Sequence, residues 1–254
     1  MTQSPHAILV HGAWQGSWVW SDFAPFLENA GFRPHAIDLP GNGADDTPLS
    51  DVSLDLYLDH VGSLIEQLDG DIVIIAHSGG GVVGTALGER YTQRISAIAY
   101  IAGMMLPSGW SFGTVLANEK AEERGLLGIG PYLEWNDERT VSTVPPEAGA
   151  KIFLNDMDFD DALQGAQNLT PQAEPGRALK TDWTAERFGR IPRIYVECEQ
   201  DLSVVQPIQQ AMQKAVPGAR NITLDAGHAP HVSQPQVLAD ASIPVLRKII
   251  DVTV

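Results

Sequence analysis

Six short apolar runs, rich in β-branched residues, recur along the chain with amphipathic stretches between them. This alternation restricts the architecture more than any other feature. The runs are Ala7 to Val10, Pro34 to Ile37, Ile72 to Ala76, Ile98 to Ile101, Arg193 to Cys198 and Asn221 to Leu224. Short, near-continuous apolar runs are what parallel strands need when helices cover both faces of their sheet. Between the second and third runs, Leu54, Leu58, Val61, Leu64, Ile65 and Leu68 recur at spacings of 3 and 4, so Ser53 to Leu68 reads as a helix with Ser53 as its N-cap. Val204 to Val216 and Gln236 to Ile250 carry similar patterns. The expected fold is α/β, a doubly wound, mostly parallel six-stranded sheet whose ligand crevice lies at the carboxyl ends of the strands. A length of 254 residues fits one domain over 1–254.

The alternation lapses once, between Gly103 and Arg193. This stretch contains Trp110, Trp135 and Trp183 and weak helical patches over Ala148 to Leu154 and Asp160 to Gln167. A structureless loop of that length is improbable in a compact domain, so 106–188 is expected to be a helical cap subdomain inserted after the fourth strand. Trp110, Phe112, Tyr132, Trp135, Phe153, Phe159 and Trp183 either line an apolar pocket beneath it or hold it onto the sheet.

The chemistry starts at IVIIAHSGGGVVG, residues 72 to 84, where an apolar strand runs through Ala76-His77-Ser78-Gly79-Gly80 into a helix. Small residues two places before and after Ser78 permit a tight strand-to-helix turn that would expose its Oγ at the sheet edge. The competing reading is a glycine-rich turn with an incidental serine. A phosphate loop lacks its motif. A serine nucleophile needs a base and an orienting carboxylate, and on such scaffolds these follow in the order Ser, Asp/Glu, His. The turn DAGHAPHVSQP after the last strand offers His228, with His231 the less suited alternative, while His77 should point away from Ser78. The preceding strand ends in ECEQD, offering Asp201, with Glu199 second and Glu197 inside the strand; Asp201 also reads as a helix cap. For an oxyanion hole, the Gly79 N–H has a candidate partner in the Gly12-Ala13 backbone after the first strand.

Charge and cysteine content narrow the function classes. With 16 Lys+Arg against 32 Asp+Glu, the net charge of −16 excludes a nucleic-acid binder that works by neutralising phosphates. One cysteine, Cys198, fits a reducing compartment. The start MTQSPHAILVHGAW lacks a basic leader, and no apolar run is long enough to span a membrane, so a cytoplasmic protein without a membrane partner is expected. The acidic run Asn155 to Asp161 fails as a calcium loop and reads as a charged helix N-terminus. No metal or cofactor is expected, and a homodimer is left open.

HGAWQGSWVW, DLPGNG, AHSGGG, YVECEQD and GHAPHVSQP, in this order, resemble the α/β-hydrolase superfamily, in the branch of plant methyl esterases, hydroxynitrile lyases and bacterial pyrethroid-type carboxylesterases. The resemblance spans the core and is weakest in the cap. It implies Ser78 as nucleophile, Asp201 as acid, His228 as base and Ala13 as an oxyanion donor. Where the branch has a histidine in the DLPGHG loop this chain has Asn42, read as a surface variation. The lyases of the branch carry a threonine in the first-strand turn and a lysine after the histidine. Here Gly12 and Ala229 stand there, and an open Gly12 position would leave room for a water or an ester group. The implied activity is a cofactor-free carboxylesterase for small to medium apolar or aromatic esters, with Gly12, Trp14, Trp110, Trp135 and Trp183 as expected substrate contacts. A cofactor-independent lyase or oxygenase and a slow-turnover ligand receptor are the rival classes on the same scaffold.

Overall fold

The structure is a computed structural model and describes residues 4–253. Met1–Gln3, the start of the segment read as lacking a leader, and Val254 lie outside the described residues. The strands are β1 (His6–Val10), β2 (Arg33–Ile37), β3 (Ile72–His77), β4 (Ile95–Ile101), β5 (Glu134–Trp135), β6 (Val141–Thr143), β7 (Gln172–Ala173), β8 (Arg193–Cys198) and β9 (Ala219–Leu224). The helices are α1 (Ala24–Asn29), α2 (Leu54–Gln67), α3 (Gly80–Arg90), α4 (Phe112–Asn118), α5 (Pro146–Phe153), α6 (Phe159–Ala166), α7 (Glu174–Arg177), α8 (Gln206–Ala215), α9 (Pro230–Ser233) and α10 (Pro235–Thr253).

All six expected strands form and join in one parallel sheet of order β2-β1-β3-β4-β8-β9. The β-branched runs explain this. Side chains alternate across each strand, so a run with no polar alternation supplies both faces with apolar surface. Ile8 and Val10 of β1, with Ile72, Ile74 and Ala76 of β3, enter a core against α2, α3 and α8. Their neighbours Ala7, Leu9, Val73 and Ile75 enter a second core against α1 and α10. Helix α2 starts as expected, with the Ser53 side chain accepting the Leu56 N–H at 3.2 Å.

The order of connections reverses between β1 and β3, which makes that edge the topological switch point. Register pairs Val10 with Ala76, so the turns after β1 and β3 leave side by side. The insertion between β4 and β8 has α5 and α6 where the helical patches were expected. Asp158 caps α6 through the Asp160 N–H at 3.0 Å, in keeping with the charged-N-terminus reading. The insertion also contains an antiparallel sheet, β5-β6-β7, whose strands of two or three residues are too short to produce a periodic signal. Its own core gathers Val144, Ala148, Phe153 and Ala162 around Trp14, which lies in the turn after β1.

Candidate active site

Ser78 sits between β3 and α3 with φ +50, in the left-handed region that a serine occupies only where packing imposes it. Two features impose it here. The turn is bonded on both sides, the Ser78 N–H to Ile101 O and the Ser78 carbonyl to the N–H groups of Gly81 and Met104. And α3 lies so close to β1 that a Cβ on Gly80 would stand 2.4 Å from His11 O.

The carboxyl ends of β8 and β9 carry the other two groups. His228 Nδ1 lies 2.8 Å from Asp201 Oδ2, and both side chains are sealed from solvent. A carboxylate only accepts, so Nδ1 carries the proton and Nε2 is left as the basic nitrogen. Asp201 has four N–H donors: Ser203 and Val204 backbone N–H on Oδ1, Gln209 Nε2 and His228 Nδ1 on Oδ2. Asp201 does not cap α8, whose N-cap is Val205 without a side-chain bond; Oδ1 instead closes the turn before that helix, and Oδ2 faces His228.

The alternatives fall elsewhere. Glu199 is exposed. Glu197 projects to the amides of Gln206, Gln210, Gln213 and Asn221. Burial raises its pKa, but those hydrogen bonds outweigh it and hold the carboxyl below its usual range. The His231 ring is stacked on Trp20 at 4.3 Å and tilted against His77 at 4.4 Å, with neither ring nitrogen bonded among the described residues. Burial, with the His228 ring beside it, lowers its pKa to about 3. His77 points away from the cavity, as expected. Its Nδ1 is 2.8 Å from Gln15 Oε1 and its Nε2 is 3.0 Å from His228 O. Both partners are acceptor oxygens, while burial disfavours the doubly protonated ring that could donate to both; the contact to the His228 carbonyl is a bond in the tautomer with the proton on Nε2. The residue before Ser78 thus ties down the backbone of His228.

Ser78 opens into a cavity of about 300 Å³ that is also lined by Gly12, Ala13, Trp14 and Gly79. An ideal Cβ on Gly79 would stand 3.5 Å from Ala13 N, which shows how closely the two turns face each other. Neither the Ala13 nor the Gly79 N–H has a hydrogen-bond acceptor among the described residues. Most of the remaining lining is apolar, including Leu39, Val83, Phe112, Leu116, Ile129 and Leu179.

Several expectations are corrected here. Trp110, Trp135 and Trp183 do not line this cavity. Trp110 packs on the sheet core, and Trp183 donates its indole N–H to Leu106 O at 2.9 Å and meets Phe188 edge-on. Trp135 lies beneath the guanidinium groups of Arg139 and Arg177. Of the aromatic residues of the insertion, Phe112 lines the cavity, Trp110 and Trp183 hold the segment to the sheet, and Tyr132 and Phe159 are exposed. Asn42 is not a surface variation. It is buried, lines the cavity, and accepts from Tyr57 OH at 3.4 Å. Gly12 offers no open space for a side chain, because a Cβ there would meet Ser78 Cβ at 2.9 Å and Gln15 Oε1 at 3.0 Å.

Sequence reasoning missed Gln209. This fully buried glutamine of α8 bonds Cys198 N, Cys198 O, Val204 O and Asp201 Oδ2, holding the Asp201 loop. Its signal was available: it stands next to Ile208 on the core-facing side of α8. Asp156 of the insertion was also missed. Its Oδ2 accepts from Gly227 N, Ser233 Oγ and Gln234 Nε2, bracing the loop of His228. Among the described residues no cluster of three or more His, Cys, Asp or Glu could hold a metal ion, and no helix is long and apolar enough to cross a membrane.

Residues 7–241 match the model of the alpha/beta hydrolase family. Methylesterase 9 of Arabidopsis thaliana is 25% identical over 96% of this chain and 98% of its own. A pyrethroid hydrolase of Sphingobium wenxiniae is 28% identical over 92% of this chain and 85% of its own. Among solved structures, polyneuridine aldehyde esterase superposes with a TM-score of 0.79 at 24% identity, covering 99% of this chain and 100% of that one, a likeness of fold.

Proposed function

The chain belongs to the alpha/beta hydrolase family, and on that premise we propose that it is a cofactor-free carboxylesterase that forms an acyl-enzyme on Ser78. The observation that carries the reading is the buried His228–Asp201 pair at 2.8 Å, bonded through the His228 carbonyl to the residue preceding a strained Ser78 that opens into the cavity. In this reading Ser78 Oγ attacks the ester carbonyl while His228 Nε2 takes its proton, and Asp201 keeps the ring in the tautomer this requires. The negative charge that develops on the carbonyl oxygen is met by the N–H groups of Ala13 and Gly79. His228 then returns the proton to the leaving alcohol, and water activated by the same nitrogen releases the acid.

The apolar lining supports small to medium apolar or aromatic esters, and the names of the relatives, a methylesterase and a pyrethroid hydrolase, support ester substrates in general. Segment 106–188 acts as the cap over the site. The cytoplasm is the proposed setting, in keeping with the single, buried Cys198.

The test is initial-rate hydrolysis of aryl, methyl and benzylic esters by wild type and by a folded Ser78→Ala variant. Hydrolysis by wild type with a loss of roughly 10⁴-fold or more in the variant is expected. Activity that survives the substitution would transfer the site to lyase or oxygenase chemistry with His228 as base. Tight binding of the esters by a wild type that does not turn them over would make it a receptor.

A further inference from the structure

Trp14, next to Ala13, adopts φ +61, a left-handed conformation that a bulky aromatic residue holds only under external constraint. The hydrogen bonds to its own polar groups come from the inserted segment. Trp14 N–H donates to Gln172 Oε1 at 3.0 Å, its carbonyl accepts from Thr170 N–H at 2.8 Å, and its indole N–H donates to Ser142 Oγ at 3.1 Å. All three polar groups of one residue are thus taken by chain 128 or more positions away. Gln172 and Ser142 are themselves buried and adjacent in register, paired between β6 and β7. The other side of the turn is held locally, Gly12 N–H donating to Gln15 Oε1 at 3.0 Å. Ala13 lies between these two anchors, and its amide points to no acceptor of the described protein.

An amide that must meet a developing oxyanion works only if its direction is set beforehand, and displacement of about 1 Å is enough to cost roughly a hundredfold in rate. We propose that Gln172 is a positioning residue for the oxyanion hole: by holding the strained Trp14 backbone from the insertion, it aims the Ala13 N–H at the reacting carbonyl, so the hole is complete only while the insertion is docked. The inference rests on the esterase reading above and adds to it a dependence of the chemical step on β6 and β7.

The experiment compares wild type, Gln172→Met and Gln172→Glu with 4-nitrophenyl butyrate as substrate. It also measures inhibition by a trifluoromethyl ketone, whose hemiketal oxyanion needs the hole, against the unfluorinated ketone of equal length, which does not. Methionine keeps the length without an acceptor. A glutamate carboxyl oxygen can still accept the Trp14 N–H. For Gln172→Met, kcat should fall about tenfold to a hundredfold with KM changed less than about twofold, and trifluoromethyl ketone affinity should fall with kcat while plain ketone affinity holds. Gln172→Glu should recover most of the loss. A folded Gln172→Met with wild-type kcat, or one that loses affinity for both ketones alike, would overturn the proposal, the second result making Gln172 a substrate contact. If Gln172→Met does not fold, Ser142→Ala, which releases only the indole, should show the same split at a few-fold size, and wild-type values there would overturn it. A wild type that hydrolyses no ester and binds both ketones equally would instead overturn the esterase reading.

Discussion

Asp201 divides its hydrogen bonds between two oxygens, an arrangement that neither neighbouring glutamate has. Oδ1 closes the turn into α8 through two backbone N–H groups, which fixes the carboxylate plane, and Oδ2 then meets His228 Nδ1 with Gln209 Nε2 as a second donor. A buried carboxylate costs several kcal/mol unless it is met by charge or hydrogen bonds, and four donors meet this one. Asp201→Asn turns an acceptor into a possible donor facing Nδ1 and favours the tautomer in which Nε2 carries the proton. The expected result is a fall in kcat of roughly 10³ to 10⁴-fold, read from steady-state kinetics, with Glu199→Gln beside wild type. A variant pair with the opposite ranking would remove Asp201 from the mechanism. Of these details, the residue types and their chain order were legible in the sequence. The neighbours were not, because Gln209 and Asp156 reach the site from elements whose packing directions are decided by the whole fold.

At the scale of elements, local chemistry and tertiary contacts divide along length. Helix α2 has fourteen residues, a repeating leucine and isoleucine face and an N-cap serine, and each of these acts within a few residues of chain. Ser53→Ala removes the acceptor of the Leu56 N–H and should lower stability by about 1 kcal/mol, measured as a shift in urea midpoint at constant slope. No shift would mean that packing of Leu58, Val61 and Ile65 alone sets that helix end. Strands β5, β6 and β7 are the contrasting case. Two or three residues carry no period, so they exist because β6 pairs with both neighbours and because Ser142 and Gln172 bond Trp14 and its backbone. The insertion's tryptophans follow the same rule. A large aromatic residue looks alike in sequence whether it lines a cavity or anchors a segment, and Trp110 and Trp183 anchor where Trp14 lines.

For the molecule as a whole, three of the buried histidines, His11, His77 and His231, make stability depend on pH. Burial holds His11, His77 and His231 below the ordinary imidazole value of 6.5, with His231 at about 3. Each is neutral when folded and binds a proton when unfolded below pH about 6.5, so its contribution is complete above that value and is lost as pH falls toward the folded pKa. Each such site adds up to about 1.4 kcal/mol per pH unit to the slope. Chemical denaturation between pH 7 and 5 should therefore show falling stability, and His231→Phe, which keeps a ring between Trp20 and His77, should flatten the slope by up to that amount. Parallel slopes for the two proteins would show that His231 is not a source of the acid sensitivity. By itself the sequence determined the sheet and its flanking helices, the turn at Ser78 and the loops bearing Asp201 and His228. Apolar periodicity, capping chemistry and the small residues of a tight turn act over a few neighbouring positions and survive without knowledge of the rest. Only the tertiary structure decided that Asn42 faces the cavity, that Gly12 packs on Ser78, that Trp110 and Trp183 anchor the insertion and that Gln172 holds Trp14. These contacts join residues far apart in the chain, and which distant pairs meet is set by how the elements pack together, not by any local pattern.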